Sequence, residues 1–293
     1  MMKSECCVRA LKRLKRNYKD YLEVFKMGIQ ARDATNCTML NLSFMQFPCG
    51  ERHVRLLDGP SNLLKSNHIV IFAAINNSND IIDLLLVTDV MRHNYKNTAI
   101  ELFMPYVPFA RQDRRAVNGD AFSIKVFANL INSMNYEKVT ILDPHSDVTT
   151  ALLNNVEVLD SAAMLDTTIK SAGFNSPSDF TFVAPDAGAA KKVNKLADHF
   201  KTDVIFASKE RDPVTGKLTN SVIYGEINTQ KPLLVIDDIC DGGGTFINLS
   251  EVIKKKCINK LYLCVSHGMF TKGKAVVEAH FDGVYAINDH TVL

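Results

Sequence analysis

The chain has 293 residues, 46% of them hydrophobic and 23% charged, with a formal net charge of +2. That is enough chain to bury two modest cores or one large one. The near-neutral charge excludes a general nucleic-acid binder, which needs many phosphate-neutralising lysines and arginines, and no apolar run approaches the roughly 20 residues that cross a bilayer.

The seven cysteines (Cys6, Cys7, Cys37, Cys49, Cys240, Cys257 and Cys264) are scattered and form no CxxC pair. Free thiols in a reducing compartment are expected, without structural zinc. The N-terminus has no apolar core followed by a small-residue cleavage site, so a cytoplasmic protein is expected.

In chain order, Val8–Lys19 comes first, with Arg9, Lys12, Arg13, Lys15, Arg16 and Lys19 set around Leu11, Leu14 and Tyr18. A basic amphipathic helix of this kind can touch RNA or a membrane surface. The plainer reading, a solvated terminal helix docking its few apolar residues, is preferred. Residues 1–36 are read as a basic helical extension. Beyond them, Met39–Leu42, His53–Leu57, Ile69–Ala74, Thr98–Phe103, Lys138–Leu142, Phe180–Ala184, Asp203–Ser208, Leu233–Ile236 and Lys260–Ser266 read as strands, apolar enough to be covered on both faces. Between them Asn79–His93, Ser123–Met134, Ala189–Phe200 and Phe246–Lys256 have helical spacing. The alternation predicts mostly parallel sheets flanked by helices. It runs twice, predicting similar α/β domains over 37–160 and 161–293. In such sheets ligands bind beyond the carboxyl ends of the strands, so the loops after strands are where chemistry is expected.

The most informative loop follows Leu233–Ile236: Asp237-Asp238-Ile239-Cys240-Asp241-Gly242-Gly243-Gly244-Thr245. Glycines let backbone N–H groups approach an anion, and the following helix start adds orphan donors and a positive dipole end. A phosphate alone would not favour Asp237 and Asp238 nearby. A ribose would, because carboxylates accept hydrogen bonds from vicinal hydroxyls. An ordinary capped helix after a tight turn does not need three glycines. The segment is neither a Walker loop nor GxGxxG.

This loop resembles the phosphoribosyl-diphosphate fingerprint of phosphoribosyltransferases and ribose-phosphate diphosphokinases. Five further segments resemble the second family. Phe109-Ala110-Arg111-Gln112-Asp113-Arg114-Arg115 is similar to the segment that holds ATP; a solvated basic cluster is the other reading of those residues. Asp143-Pro144-His145-Ser146 resembles the segment whose histidine binds the magnesium of Mg·ATP. Ala184–Lys192 resembles the diphosphate loop, with Asp186, Ala187 and Gly188 at its centre and Asp186 as a second Mg²⁺ contact. Phe206–Asp212 resembles the start of the catalytic flexible loop, in which Lys209 and Arg211 would stabilise the transferring group, with 212–217 as a turn of a mobile lid. Phe47-Pro48-Cys49-Gly50-Glu51 resembles the loop that reaches a neighbouring subunit's ATP site, with Phe47 flanking adenine and Glu51 nearby.

The resemblance implies two phosphoribosyltransferase-type domains and a homo-oligomer, between dimer and hexamer. ATP would be held by Phe47, Glu51, Arg111, Gln112, Asp113 and His145, and Mg²⁺ by His145 and Asp186. Ribose phosphate would be held by Asp237, Asp238, Asp241, Gly242, Gly243, Gly244 and Thr245, and Lys209, Arg211 and His145 would be catalytic. The implied reaction is diphosphate transfer from ATP to ribose 5-phosphate. Many relatives have threonine where Gly242 stands, and a roomier pocket there suits an acceptor with a substituted 5-phosphate, such as ADP-ribose, serving NAD salvage. A non-catalytic regulatory subunit would lack lid or metal residues that are present here. A phosphoribosyltransferase would not need the ATP-side segments.

Overall fold

The computed structural model describes residues 28–34, 38–57, 68–211, 218–227 and 230–292. The basic segment Val8–Lys19 and the lid turn at 212–217 lie outside them. The chain divides into two compact units, one ending at Leu159 and the other running from Asp160 to Val292.

The first unit holds strands β1 (Ile29–Asp33), β2 (Leu42–Gln46), β3 (Arg52–Leu56), β4 (His68–Ala73), β5 (Ala99–Phe103), β6 (Lys138–Leu142) and β7 (Val156–Leu159). Its helices are α1 (Ser78–Asn94), α2 (Ser123–Ser133) and α3 (Asp147–Leu152). The main sheet has the order β1-β4-β5-β6-β7. It is parallel from β4 to β7, with β1 antiparallel at its edge. Ile29–Asp33 therefore corrects the reading of 1–36 as a helical extension: these residues pair with Ile69–Ala73 and bury Ile29 and Ala31 in the core. Strands β2 and β3 form a separate hairpin, so the expected strand at Met39–Leu42 starts later, and Met39 makes a single bridge to Arg32.

At the base of this sheet Glu101 accepts from Lys138 (3.1 Å) and His68 (3.1 Å), and Lys138 also reaches Glu157 at 3.4 Å. Burial alone would raise the Glu101 carboxyl, but the His68 hydrogen bond and the Lys138 charge hold it below its ordinary value. The cluster ties β4, β5, β6 and β7 together at one end.

The second unit holds α4 (Ser161–Ser171), β8 (Thr181–Ala184), α5 (Ala187–Phe200), β9 (Val204–Arg211), β10 (Leu218–Tyr224), β11 (Leu233–Cys240), α6 (Gly244–Lys256), β12 (Leu261–Gly268), α7 (Lys274–Glu278) and β13 (Gly283–Asp289). The sheet order is β10-β9-β8-β11-β12-β13, parallel except for the β9–β10 pair. Both faces are covered, as the unbroken apolar runs predicted. Leu233 and Val235 pack with Phe246, Leu249 and Ile253 of α6, while Leu234 and Ile236 pack on the opposite face with Val193 and Leu196 of α5 and Leu165 and Ile169 of α4. The period-2 alternation of side chains on β11 sends one set to each layer. Among the described residues no helix is long and apolar enough to cross a membrane.

Candidate active site

In the second unit the motif loops follow β8 and β11, Lys209 stands near the end of β9, and a loop without a motif follows β12. These strands are consecutive and mutually parallel in the order β9-β8-β11-β12. Motif segments up to about sixty residues apart in sequence thus share one edge of one sheet, the edge where open α/β sheets bind ligands.

Strand β11 runs through Asp237 and Asp238 to Cys240, beyond the expected end at Ile236. Each carboxylate accepts the next residue's backbone N–H, at 2.9 Å. Burial raises the Asp237 carboxyl, the adjacent Asp238 raises it further, and Lys192 opposes only in part; it is pushed up to about 8. After Asp241 the chain turns at Gly243, whose φ of 78° is left-handed and favours glycine. A Cβ there would stand 2.5 Å from Val277 Cγ2, so the residue is fixed by backbone conformation and by space.

Gly243 also caps α6 without a side chain, and its carbonyl accepts from Phe246 and Ile247 at 3.0 Å. The amides of Gly244 and Thr245 begin the helix with no side-chain acceptor from the cap, an arrangement suited to an anion. Asp241 faces another way: its carboxylate accepts the Thr271 hydroxyl at 2.8 Å and holds the loop after β12.

Asp186 is the N-cap of α5, which begins at Ala187, two residues earlier than expected; its carboxylate accepts the Ala189 amide at 2.9 Å. The same carboxylate forms an ion pair with Lys209 from β9. Burial would raise this acid, but the Lys209 hydrogen bond and the Ala189 amide outweigh it and keep Asp186 below its ordinary value. Ala187 and Gly188 are exposed at the start of the helix.

Lys209 and Arg211 lie on a strand that the sequence reading ended at Ser208. The antiparallel partner β10 extends it, pairing Ser221 with Lys209 and Leu218 with Arg211. The Arg211 side chain lies outside the described residues.

In the first unit the expected ATP-side segments follow β5 and β6, neighbouring parallel strands. Their bases are joined by Leu142 N–H to the Pro105 carbonyl at 3.0 Å. Arg111 and Gln112 are exposed and Asp113 is half-buried in a turn closed by Gln112 N–H to the Phe109 carbonyl, 2.8 Å. Phe109 itself has a φ of 64°, with its ring 5.7 Å from that of Phe127. His145 is exposed after Asp143, whose φ is 42°. Strained backbone of this kind collects where loops must hold a particular shape for function.

Phe47 and Glu51 stand at the exposed tip of the β2–β3 hairpin, closed by Phe47 N–H to the Glu51 carbonyl at 2.8 Å. Arg52 fixes the hairpin to α1 through a bidentate pair with Asp83, one arm at 2.9 Å. Among the described residues no cluster of three or more His, Cys, Asp or Glu side chains is gathered to hold a metal ion. Magnesium does not require one, because it keeps waters and is held by one or two carboxylates together with substrate phosphates. The ionised, half-buried Asp186 suits that role.

Three side chains here were not singled out from the sequence. Lys192 ends the Ala184–Lys192 segment with no role of its own in the sequence, yet its charge acts on Asp237. Thr271 and Lys272 carry no motif and are brought beside Asp241 and Gly242 by the return of the chain after β12.

The fold and its loops define a protein of the phosphoribosyltransferase type, built twice over. Residues 23–134 match the family described as the N-terminal domain of ribose phosphate pyrophosphokinase. A ribose-phosphate pyrophosphokinase of Mycoplasmopsis pulmonis is 30% identical over 219 residues, covering 73% of this chain and 66% of that protein. One from Sulfurisphaera tokodaii is 25% identical, covering 79% and 78% respectively. The crystal structure of a phosphoribosylpyrophosphate synthetase from Mycobacterium smegmatis superposes with a TM-score of 0.66 at 18% identity, over 80% of this chain and 74% of that one. The chain belongs to the ribose-phosphate pyrophosphokinase family, a family of enzymes.

Proposed function

We propose that the protein transfers the β,γ-diphosphate of ATP to the C1 hydroxyl of ribose 5-phosphate, giving phosphoribosyl diphosphate and AMP. The C1 oxygen bonds to the β-phosphorus, the bridge between α- and β-phosphorus breaks, and AMP leaves with the bridging oxygen while the hydroxyl proton is released. The observation that carries this reading is the ion pair of Lys209 with Asp186 on the same sheet edge as the Asp237–Thr245 loop. It sets the cation assigned to the transferring group against the loop assigned to the diphosphate.

In this reading Asp237 and Asp238 orient the ribose hydroxyls, and the Gly242–Thr245 amides with the Thr245 hydroxyl hold the 5-phosphate. Lys209 and Arg211 stabilise charge that develops on the diphosphate in flight. Phe47, Glu51, Arg111, Gln112 and Asp113 belong to ATP recognition, with Phe47 serving a neighbouring copy in a homo-oligomer. Asp186 of the second unit would hold magnesium, which when bound screens the charge of the phosphates; His145 keeps the metal role that its own motif implies.

Transfer to ADP-ribose, feeding NAD salvage, is the second reading, motivated by Gly242. The space above Gly242 is lined by the Lys272 methylenes, 3.3–3.6 Å from where a Cβ would stand, which removes the main support for a larger acceptor and favours ribose 5-phosphate as the first reading. Incubation of the pure protein with Mg·ATP and either acceptor, with AMP measured and the product identified by mass, separates the two readings. Absence of AMP with both acceptors refutes diphosphate transfer, and a requirement for a nucleobase instead of ATP would indicate a phosphoribosyltransferase.

A further inference from the structure

We propose that Lys272 is a specificity-determining residue of the ribose-phosphate loop, supplying the full positive charge that holds the acceptor's 5-phosphate, and that position 242 is glycine in order to seat it. The inference rests on reading Asp237–Thr245 as a ribose-phosphate site. That loop carries Asp238 and Asp241, whose negative charge disfavours a phosphate dianion held at its amides. The Gly244 and Thr245 amides offset this with partial charges only. A whole cation is needed nearby.

The residues after β12 place one there. Met269 and Phe270 donate their amides to the Cys240 carbonyl at 2.8 and 3.1 Å, Thr271 N–H donates to the Asp241 carbonyl at 3.2 Å, and the Thr271 hydroxyl donates to the Asp241 carboxylate at 2.8 Å. This stitching fixes the backbone next to Lys272, whose stem then lies across Gly242. Its Cγ, Cδ and Cε come within 3.6, 3.4 and 3.3 Å of the point a Cβ would occupy. A side chain at 242 would have to share that space with the stem. The nearby Lys274 is committed, paired with Asp289 at 2.8 Å. Lys272 is exposed and makes no ion pair among the described residues, so its ammonium is available to a ligand.

The test compares Lys272→Met, which keeps an apolar stem and removes the charge, with Lys272→Arg, which keeps the charge. Two readouts are taken: AMP formation with ribose 5-phosphate, and calorimetric binding of ribose 5-phosphate, which does not depend on turnover. The Met variant should raise KM for ribose 5-phosphate about tenfold or more, as expected for losing a charged hydrogen bond to phosphate. Its kcat should stay within about threefold and its thermal midpoint should not change, and Arg should restore most of the affinity. Threonine at position 242 should weaken binding in the wild-type background and much less in the Met variant. Equal ribose 5-phosphate affinity in wild type and Lys272→Met would overturn the proposal. If the wild type binds the sugar phosphate but releases no AMP, the proposed reaction fails, and the calorimetric comparison still decides the role of Lys272.

Discussion

Gly243 offers a test of why the Asp237–Thr245 loop has its shape. Replacing it with alanine adds one methyl group at a residue with φ of 78°, where the group would meet Val277 Cγ2 at 2.5 Å. Two costs should appear. Holding a residue with a Cβ in the left-handed region costs about 1–2 kcal/mol, and forcing an extra methyl into a filled site costs about 1–3 kcal/mol. The loss should total about 2–5 kcal/mol. A double-mutant cycle separates the parts, because Val277→Ala removes the colliding methyl and leaves the backbone conformation untouched. Gly243→Ala should be about 1–3 kcal/mol less harmful in the Val277→Ala background, with about 1–2 kcal/mol remaining. The chain has no tryptophan, so urea unfolding is best followed by circular dichroism, with transitions assigned to each unit. A coupling smaller than about 0.5 kcal/mol would show that Val277 does not restrict this turn, refuting the steric half of the reasoning. A fully restored double variant would refute the backbone half.

Other outcomes follow from the same site and its scaffold. Lys209→Ala and Arg211→Ala should each lower the rate of AMP release by about 10²–10³, the scale of removing one group that stabilises transition-state charge; turnover within a few-fold of wild type in both would remove them from the mechanism. Glu101→Gln should cost about 2–3 kcal/mol, because it leaves the Lys138 ammonium partly buried with less compensation. Since the folded Glu101 carboxyl lies below its ordinary value, its contribution is present above the unfolded pKa and is lost as pH falls through the folded one. Asp237 has the opposite sign: its folded pKa is raised to about 8, so its contribution is present below the unfolded value near 3.8 and is lost as pH rises through about 8. Unfolding free energies of wild type and Asp237→Asn between these limits should diverge in slope, and parallel profiles would count against the raised pKa.

The elements legible in the sequence were those whose side chains decide their own structure. Lys138–Leu142 reads as a strand because it is an apolar run covered on both faces, and it forms β6 over the same residues. Ser123–Ser133 has a helical face of Ile124, Phe127, Ala128 and Ile131, all buried. The elements that escaped depend on partners elsewhere. Gln30 and Arg32 make Ile29–Asp33 look polar, and it becomes a strand by pairing with Ile69–Ala73. Leu218–Tyr224 contains Thr219, Asn220 and Ser221, and it is a strand because it completes the hydrogen bonds of β9. Edge strands carry little apolar signal, since only part of their surface is buried.

The same distinction governs the site. A glycine run between an apolar strand and a helix suggests an anion loop by its own composition, and the strand, turn and uncapped helix start at Asp237–Thr245 were legible for that reason. Lys272 was not. Nothing in Thr271-Lys272-Gly273 differs from a solvated turn until the parallel pairing of β11 with β12 sets the ends of both strands side by side. The hydrogen bonds at Cys240 and Asp241 then turn that proximity into contact. Reading Gly242 alone suggested an enlarged pocket, because a missing side chain looks like missing volume. The structure fills that volume with methylenes from a residue thirty positions away. The glycine therefore gives no direct measure of acceptor size. Under the proposed role of Lys272 it bears on acceptor charge, through the lysine it admits, and a variant at Lys272 then tests acceptor choice more directly than one at Gly242.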